Sequence, residues 1–125
     1  MKPKQSEASI HLQICTYIRT QYPTVIFTSE SSGIRLTMGQ AVNAKKLRSG
    51  NKLPDLWILE QRGGFGGLFI ELKAEPIFKK DGSYKTDHIA DQAQVMENLN
   101  RKGYSAMFAI GFEDAKKEVD MYMML

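Results

Sequence analysis

The feature that most constrains this chain lies between Leu53 and Lys73, where two apolar runs flank Arg62–Gly67, a segment holding four glycines. Leu56, Trp57, Ile58 and Leu59 are consecutive apolar residues within Leu53–Glu60, and Leu68-Phe69-Ile70-Glu71-Leu72-Lys73 follows the glycines. Both runs read as strands, and the glycine-rich connection suits a hairpin turn, so the two are expected to pair as antiparallel neighbours. Side chains alternate along a strand, so Glu71 and Lys73 share one face while Leu72 turns the other way, into a core. Asp55, which follows Pro54 at the start of the first run, then approaches Glu71 across the ladder.

Two carboxylates held a few ångströms apart repel each other unless something positive lies between them. A divalent cation meets that need, and an all-oxygen set suits Mg2+ or Mn2+ rather than zinc. A phosphate oxygen and water would complete the shell. Lys73 then stands beside the metal, where its ammonium can stabilise transition-state charge or help orient and deprotonate an attacking water. The Glu-x-Lys triplet alone is common, and a surface strand with an ordinary Glu–Lys salt bridge would show it too. The conjunction is more selective: the triplet ends an otherwise apolar strand, a Pro-Asp pair opens the strand before it, and a glycine-rich turn joins them.

The 125 residues suit one domain, 1–125, with one hydrophobic core. Ser6–Arg19 reads as a helix, with Ile10, Ile14, Tyr17 and Ile18 on one face, Ser6 as N-cap and Glu7 in the first turn. Pro23 ends that region, and Val25–Thr28 reads as a strand. Met38–Arg48 is expected to form a short helix. After the hairpin come a loop over Pro76–Lys85, a helix over Asp87–Lys102 with Ile89, Val95, Met96 and Leu99 as its stripe, and Gly103 as its stop. Tyr104–Ile110 reads as a strand and Glu113–Met123 as a closing helix. The fold class is α/β, a mixed sheet flanked by helices in the order α-β-(α)-β-β-α-β-α. No repeat or low-complexity tract interrupts it.

The net charge of +3 is a mild basic excess that permits nucleic-acid binding without requiring it. Lys45, Lys46, Arg48 and Lys52 cluster with no acid among them, and Lys79, Lys80 and Lys85 form a second group. Charge alone favours reading both groups as solvated loops, and only the acidic site candidates beside them in sequence weigh against that. The first precedes the Pro-Asp strand, where it would hold a DNA backbone by phosphate contacts. A single cysteine, Cys15, excludes an intramolecular disulfide and a thiolate zinc cluster, fits a reducing cytoplasmic setting, and is expected in the core. No apolar run reaches membrane-spanning length and no secretory signal is read at Met1–Gln5, so no membrane partner is expected.

Pro54-Asp55 followed by Glu71-Leu72-Lys73 resembles the PD-(D/E)XK nuclease superfamily, with its restriction-endonuclease-like core. The chain is most similar to the VRR-NUC branch, through Ser6-Glu7 with Ile10 and His11, Gly33-Ile34-Arg35, Gln92 with Met96, Leu99 and Gly103-Tyr104, and the closing Tyr104–Ala109 stretch with Gly111. The likeness runs from about Ser6 to Tyr122. One departure is Leu53, where the branch often has glycine. The resemblance implies Mg2+- or Mn2+-dependent DNA endonuclease activity. Metal ligands would be Glu7, Asp55, Glu71 and the main-chain carbonyl of Leu72, with Lys73 and Gln92 completing the catalytic set. It also implies a homodimer acting on branched or Holliday-junction-like DNA without a small-molecule cofactor, as is common for stand-alone phage and bacterial members. The alternatives are a non-catalytic nucleic-acid-binding module on the same fold and a structural protein whose charges form plain salt bridges.

Other residues read more simply. Gln94 rivals Gln92, which has the better spacing to Gly103. His88 is a solvated residue near its helix start or a phosphate contact, and His11 is open between similar roles. Trp57, Tyr17 and Tyr104 are expected in the core, as is the methionine-rich end, Met121, Met123 and Met124, although that end also suits self-association. Asp87 and Asp91 are first-turn acids, and Glu75 lies near the site in sequence.

Overall fold

The computed structural model describes residues 5–30 and 36–125; Gly33-Ile34-Arg35 and Met1–Lys4 lie outside them. Helix α1 spans Glu7–Gln21, strand β1 Phe27–Ser29, helix α2 Met38–Lys46, strand β2 Leu56–Ile58, strand β3 Leu68–Lys73, helix α3 Asp87–Arg101, strand β4 Ser105–Ile110 and helix α4 Gly111–Met123. This is the order read from the sequence. Among the described residues the sheet has four strands in the order β1-β2-β3-β4, antiparallel except for the parallel β3–β4 pair. The sheet is therefore mixed, as expected.

The alternation of β3 divides the interior in two. Leu68, Ile70 and Leu72 face Ile10, Ile14 and Ile18 of α1 and Ala115, Val119 and Tyr122 of α4, all in one buried cluster. Phe69 turns to the opposite face and packs with Met96 of α3 and Ala106 of β4, with Trp57, Leu99, Tyr104 and Phe108 partly buried around them. Each aliphatic side chain sealed in the first cluster contributes about 1.5–3 kcal/mol of burial. A polar knot ties α1 to α4: the hydroxyls of Tyr17 and Tyr22 donate to Asp120 Oδ1 at 2.6 and 2.7 Å, and Lys116 donates to Oδ2 at 3.0 Å. Burial alone would raise the Asp120 pKa, but these three hydrogen bonds outweigh it and hold the carboxyl below its usual value.

Local chemistry explains the element ends. Ser6 caps α1 by accepting from Ser9 N–H, Thr37 and Gln40 form a reciprocal capping box on α2, and Thr86 caps α3. Gly63 and Gly64 take φ of +56° and +86° in the β2–β3 turn, values that favour glycine over other residues. On the outer edge of β4, Asn100 donates to Ala106 C=O at 3.0 Å and accepts from Ala106 N–H at 2.8 Å. None of α2's residues is buried, so its caps, rather than packing, hold it in shape.

Several expectations need correction. β2 is Leu56–Ile58, shorter than the run Leu53–Glu60, because Pro54 has no N–H and the Asp55 N–H bonds to a side chain, Glu71 Oε2, at 3.1 Å. β1 starts at Phe27 rather than Val25. Cys15 is half-buried rather than core, and partial burial raises its thiol pKa. Trp57 is likewise only partly buried. Met121 and Met124 are 52% and 78% exposed, since the inward face of α4 is filled by Ala115, Val119 and Tyr122; Met123 packs against the core from its rim. Among the described residues, no helix is long and apolar enough to cross a membrane.

Candidate active site

The β2–β3 register pairs Leu56 with Ile70 and Trp57 with Phe69, so one further step sets Asp55 against Glu71. Both carboxylates are buried, at 1% and 5% exposure. Besides the Asp55 N–H donated to Glu71, the Leu72 N–H points to Asp55 Oδ2 at 3.3 Å. The side chains thus replace the ladder where Pro54 interrupts it, and those bonds position the pair. Ile70 and Leu72, both fully buried, anchor the strand on either side of Glu71.

Charges gather around this pair. Lys73 Nζ stands 3.8 Å from Glu71 Oε1 and Lys52 Nζ 3.7 Å from Asp55 Oδ1. Gln92, on α3, donates to Glu71 Oε1 at 2.6 Å and lies 3.3 Å from His88 Nε2, one turn back. His11, on α1, reaches across with Nε2 3.6 Å from Asp55 Oδ2, while its Nδ1 lies 2.6 Å from Ser29 Oγ. Burial first, and then the Asp55 charge, push the Glu71 pKa up to about 8 against the opposing pull of Lys73 and Lys52. The protein therefore holds together two acids that resist being charged at once.

Among the described residues, two buried side-chain N or O atoms lack any hydrogen-bond partner, and both are oxygens of this site: Asp55 Oδ1 and Gln92 Oε1. Buried acceptors are normally hydrogen-bonded, so two left open in one place, with only the Lys52 ammonium 3.7 Å from Asp55 Oδ1, mark where a closer donor or cation fits. No cluster of three or more His, Cys, Asp or Glu side chains is arranged to hold a metal ion among the described residues. Mg2+, however, is bound through one or two carboxylates and keeps several waters, and Asp55 with Glu71 supplies that donor set.

Next to the site, Lys45, Arg48, Lys52, His88, Asp91 and Gln92 line a cleft of about 220 Å³. Two of the three basic residues come from the end of α2 and the turn after it, and the third from just before β2. Lys46 does not line it. Asp55, Glu71, Lys73 and Gln92 are thus brought together as read from the sequence. Glu7 lies on the α1 face one turn before His11, but no hydrogen bond or ion pair joins it to Asp55 or Glu71 among the described residues. The residues given too little weight were His11 and Lys52. A histidine among the inward isoleucines Ile10 and Ile14 was the available signal for the first; nothing local marked Lys52 as a carboxylate partner. Gln94 pairs instead with Asn98 on the α3 surface.

A mixed α/β fold with paired buried carboxylates at the break of its β2–β3 hairpin defines the class of this domain. A solved structure named VRR_NUC domain protein has the same fold, at TM-score 0.70 and 23% sequence identity, over 100% of this chain and 93% of that one. The resemblance read from the motifs and the fold thus point the same way. No family model and no curated protein matches the chain in sequence.

Proposed function

We propose that the chain is an Mg2+- or Mn2+-dependent DNA endonuclease that hydrolyses phosphodiester bonds and favours branched DNA. The observation that carries this reading is the pair of buried oxygens without a hydrogen-bond partner, Asp55 Oδ1 and Gln92 Oε1, on the two residues that bond to Glu71. Asp55 and Glu71 would hold the metal. The Leu72 carbonyl would join them, because N–H and C=O of one strand residue face the same side and the Leu72 N–H faces Asp55. Glu7 would add at most a water-mediated contact from α1. When bound, the metal supplies Lewis-acid polarisation of the phosphate and a more acidic water.

The chain's own groups do the rest. Lys73 is held beside Glu71 by its strand and offers its ammonium to charge developing on the phosphate. Gln92 fixes the Glu71 carboxylate by its amide N–H, which leaves the amide oxygen to orient a water. His11 and the Leu72 N–H keep Asp55 turned toward Glu71. Lys45, Arg48 and Lys52 grip flanking phosphates, which positions the strand without reading its sequence.

The test is cleavage of plasmid and of single-stranded, flapped, nicked and four-way substrates, with and without Mg2+ or Mn2+. Wild type should cut only with metal and cut branched substrates fastest. Asp55→Ala should be inactive and Lys73→Ala slower by about 100-fold or more, both remaining folded. Full activity in Lys73→Ala would remove its role, and cleavage by Asp55→Ala would remove the site. Binding by Asp55→Ala without cleavage, matched by a wild type that also binds and never cuts, would identify a binding module instead.

A further inference from the structure

The segment joining β3 to α3 is a small hairpin rather than a plain loop. Lys79 N–H bonds to Ser83 C=O and Lys85 N–H to Ile77 C=O, at 2.8 and 2.9 Å, and Phe78 and Tyr84 form a β-bridge. Asp81 closes the tip by accepting from the N–H and hydroxyl of Ser83, which occupies the one acid of the hairpin. Ile77 is buried and pins its base. Phe78 and Tyr84 are stacked, with ring centroids 5.0 Å apart and planes 25° from parallel, yet are 49% and 37% exposed. Around them Lys79, Lys80 and Lys85 are exposed and make no ion pair among the described residues.

An exposed stacked pair of rings leaves one aromatic face without a neighbour, and the cations beside it favour an anionic partner. The location adds a second observation. Tyr84 borders a cleft of about 460 Å³ whose wall includes Ala93, Met96, Ala106 and Phe108, with Gln94 at its rim. Phe108 is the β4 residue paired with Glu71. The cleft therefore lies on the same face of the sheet as the carboxylates, one strand away and across α3 from the cleft lined by His88, Asp91 and Gln92, and its size falls in the range of roughly 300–1,000 Å³ common for ligand sites.

We propose that Phe78, Tyr84 and the cleft under Tyr84 hold an unpaired base of a DNA strand whose neighbouring phosphate lies at Asp55 and Glu71. This rests on the nuclease reading and deepens it by naming unpaired nucleotides as the recognised substrate class. Base stacking on aromatic side chains is tolerant of sequence, and the lysines supply backbone contacts that duplex and single strand share.

The experiment uses the full chain in EDTA, a single-stranded oligonucleotide carrying 2-aminopurine, and a blunt duplex of the same sequence. Wild type and Tyr84→Phe should quench the 2-aminopurine and bind the single strand alike. Tyr84→Ala and Phe78→Leu should lose the quenching and about tenfold in single-strand affinity while duplex affinity changes less than twofold. Phe78→Leu keeps the apolar bulk, so its loss reports the ring and not unfolding. Equal losses on both DNAs, or none, would overturn the inference while leaving metal-dependent cleavage untouched. A wild type that neither binds nor cuts DNA would overturn both together.

Discussion

The two faces of β3 differ as much as two separate elements would. On one, Leu68, Ile70 and Leu72 are at most 1% exposed among aliphatic neighbours from α1 and α4. On the other, Phe69 gives way to Glu71 and Lys73, and the apolar packing with α3 fades into a charged end. One face resists change because its side chains are buried among apolar neighbours; the other holds carboxylates close at a cost. The lesson is that the quiet face makes the strained one possible. Glu71 sits between two fully buried side chains, so its carboxyl group stays near Asp55.

That contrast can be broken from either side. The largest effect should come from the aliphatic face: Ile70→Ala should cost about 2–5 kcal/mol in denaturant unfolding, and a loss under 1 kcal/mol would mean that face is not closely packed. Next comes the Asp120 knot at the rim of that core. Asp120→Asn should cost about 1–2 kcal/mol at neutral pH. The sign with pH follows from the folded pKa lying below the usual carboxyl value of 3.8. The contribution is present above that value and fades as pH falls through the folded pKa. Wild type and variant should therefore converge in melting temperature as the pH falls below 3.8; a gap that stays constant there would contradict the assignment. On the charged face the sign reverses. Glu71→Gln should stabilise the metal-free protein relative to wild type by an amount that grows as pH rises from about 4.5 to about 8, since folding must hold on Glu71 a proton that the unfolded chain has released, while cleavage is lost. A destabilised Glu71→Gln would show that repulsion does not dominate there. The smallest effect belongs to the basic cleft: Lys45→Ala should leave the melting temperature unchanged and lower the salt slope of DNA binding by about one.

Much of this was legible in the sequence because it depends on period and spacing. The alternation of Leu68–Lys73 separated Leu72 from Glu71 and Lys73, and the hairpin glycines put Asp55 opposite Glu71. Helix caps at Ser6 and the stop at Gly103 were equally local. What escaped depends on contacts distant in sequence. The partnership of His11 with Asp55 spans helix and sheet, and no periodicity reports it. The exposure of Met121 and Met124 is decided by which face of α4 meets the sheet, which a mixed apolar pattern leaves open. Residues Pro76–Lys85 read as a loop because a single bridge between Phe78 and Tyr84 has no repeat to betray it.

Asn100 has a consequence of its own. β4 ends the sheet on one side, and a bare border strand invites a stranger's backbone to zip onto it. At Ala106 that invitation is already taken, because the amide of Asn100 imitates one rung of an additional strand. A foreign strand would have to evict the amide before docking at that rung, so one side chain blocks this point of the edge without a proline.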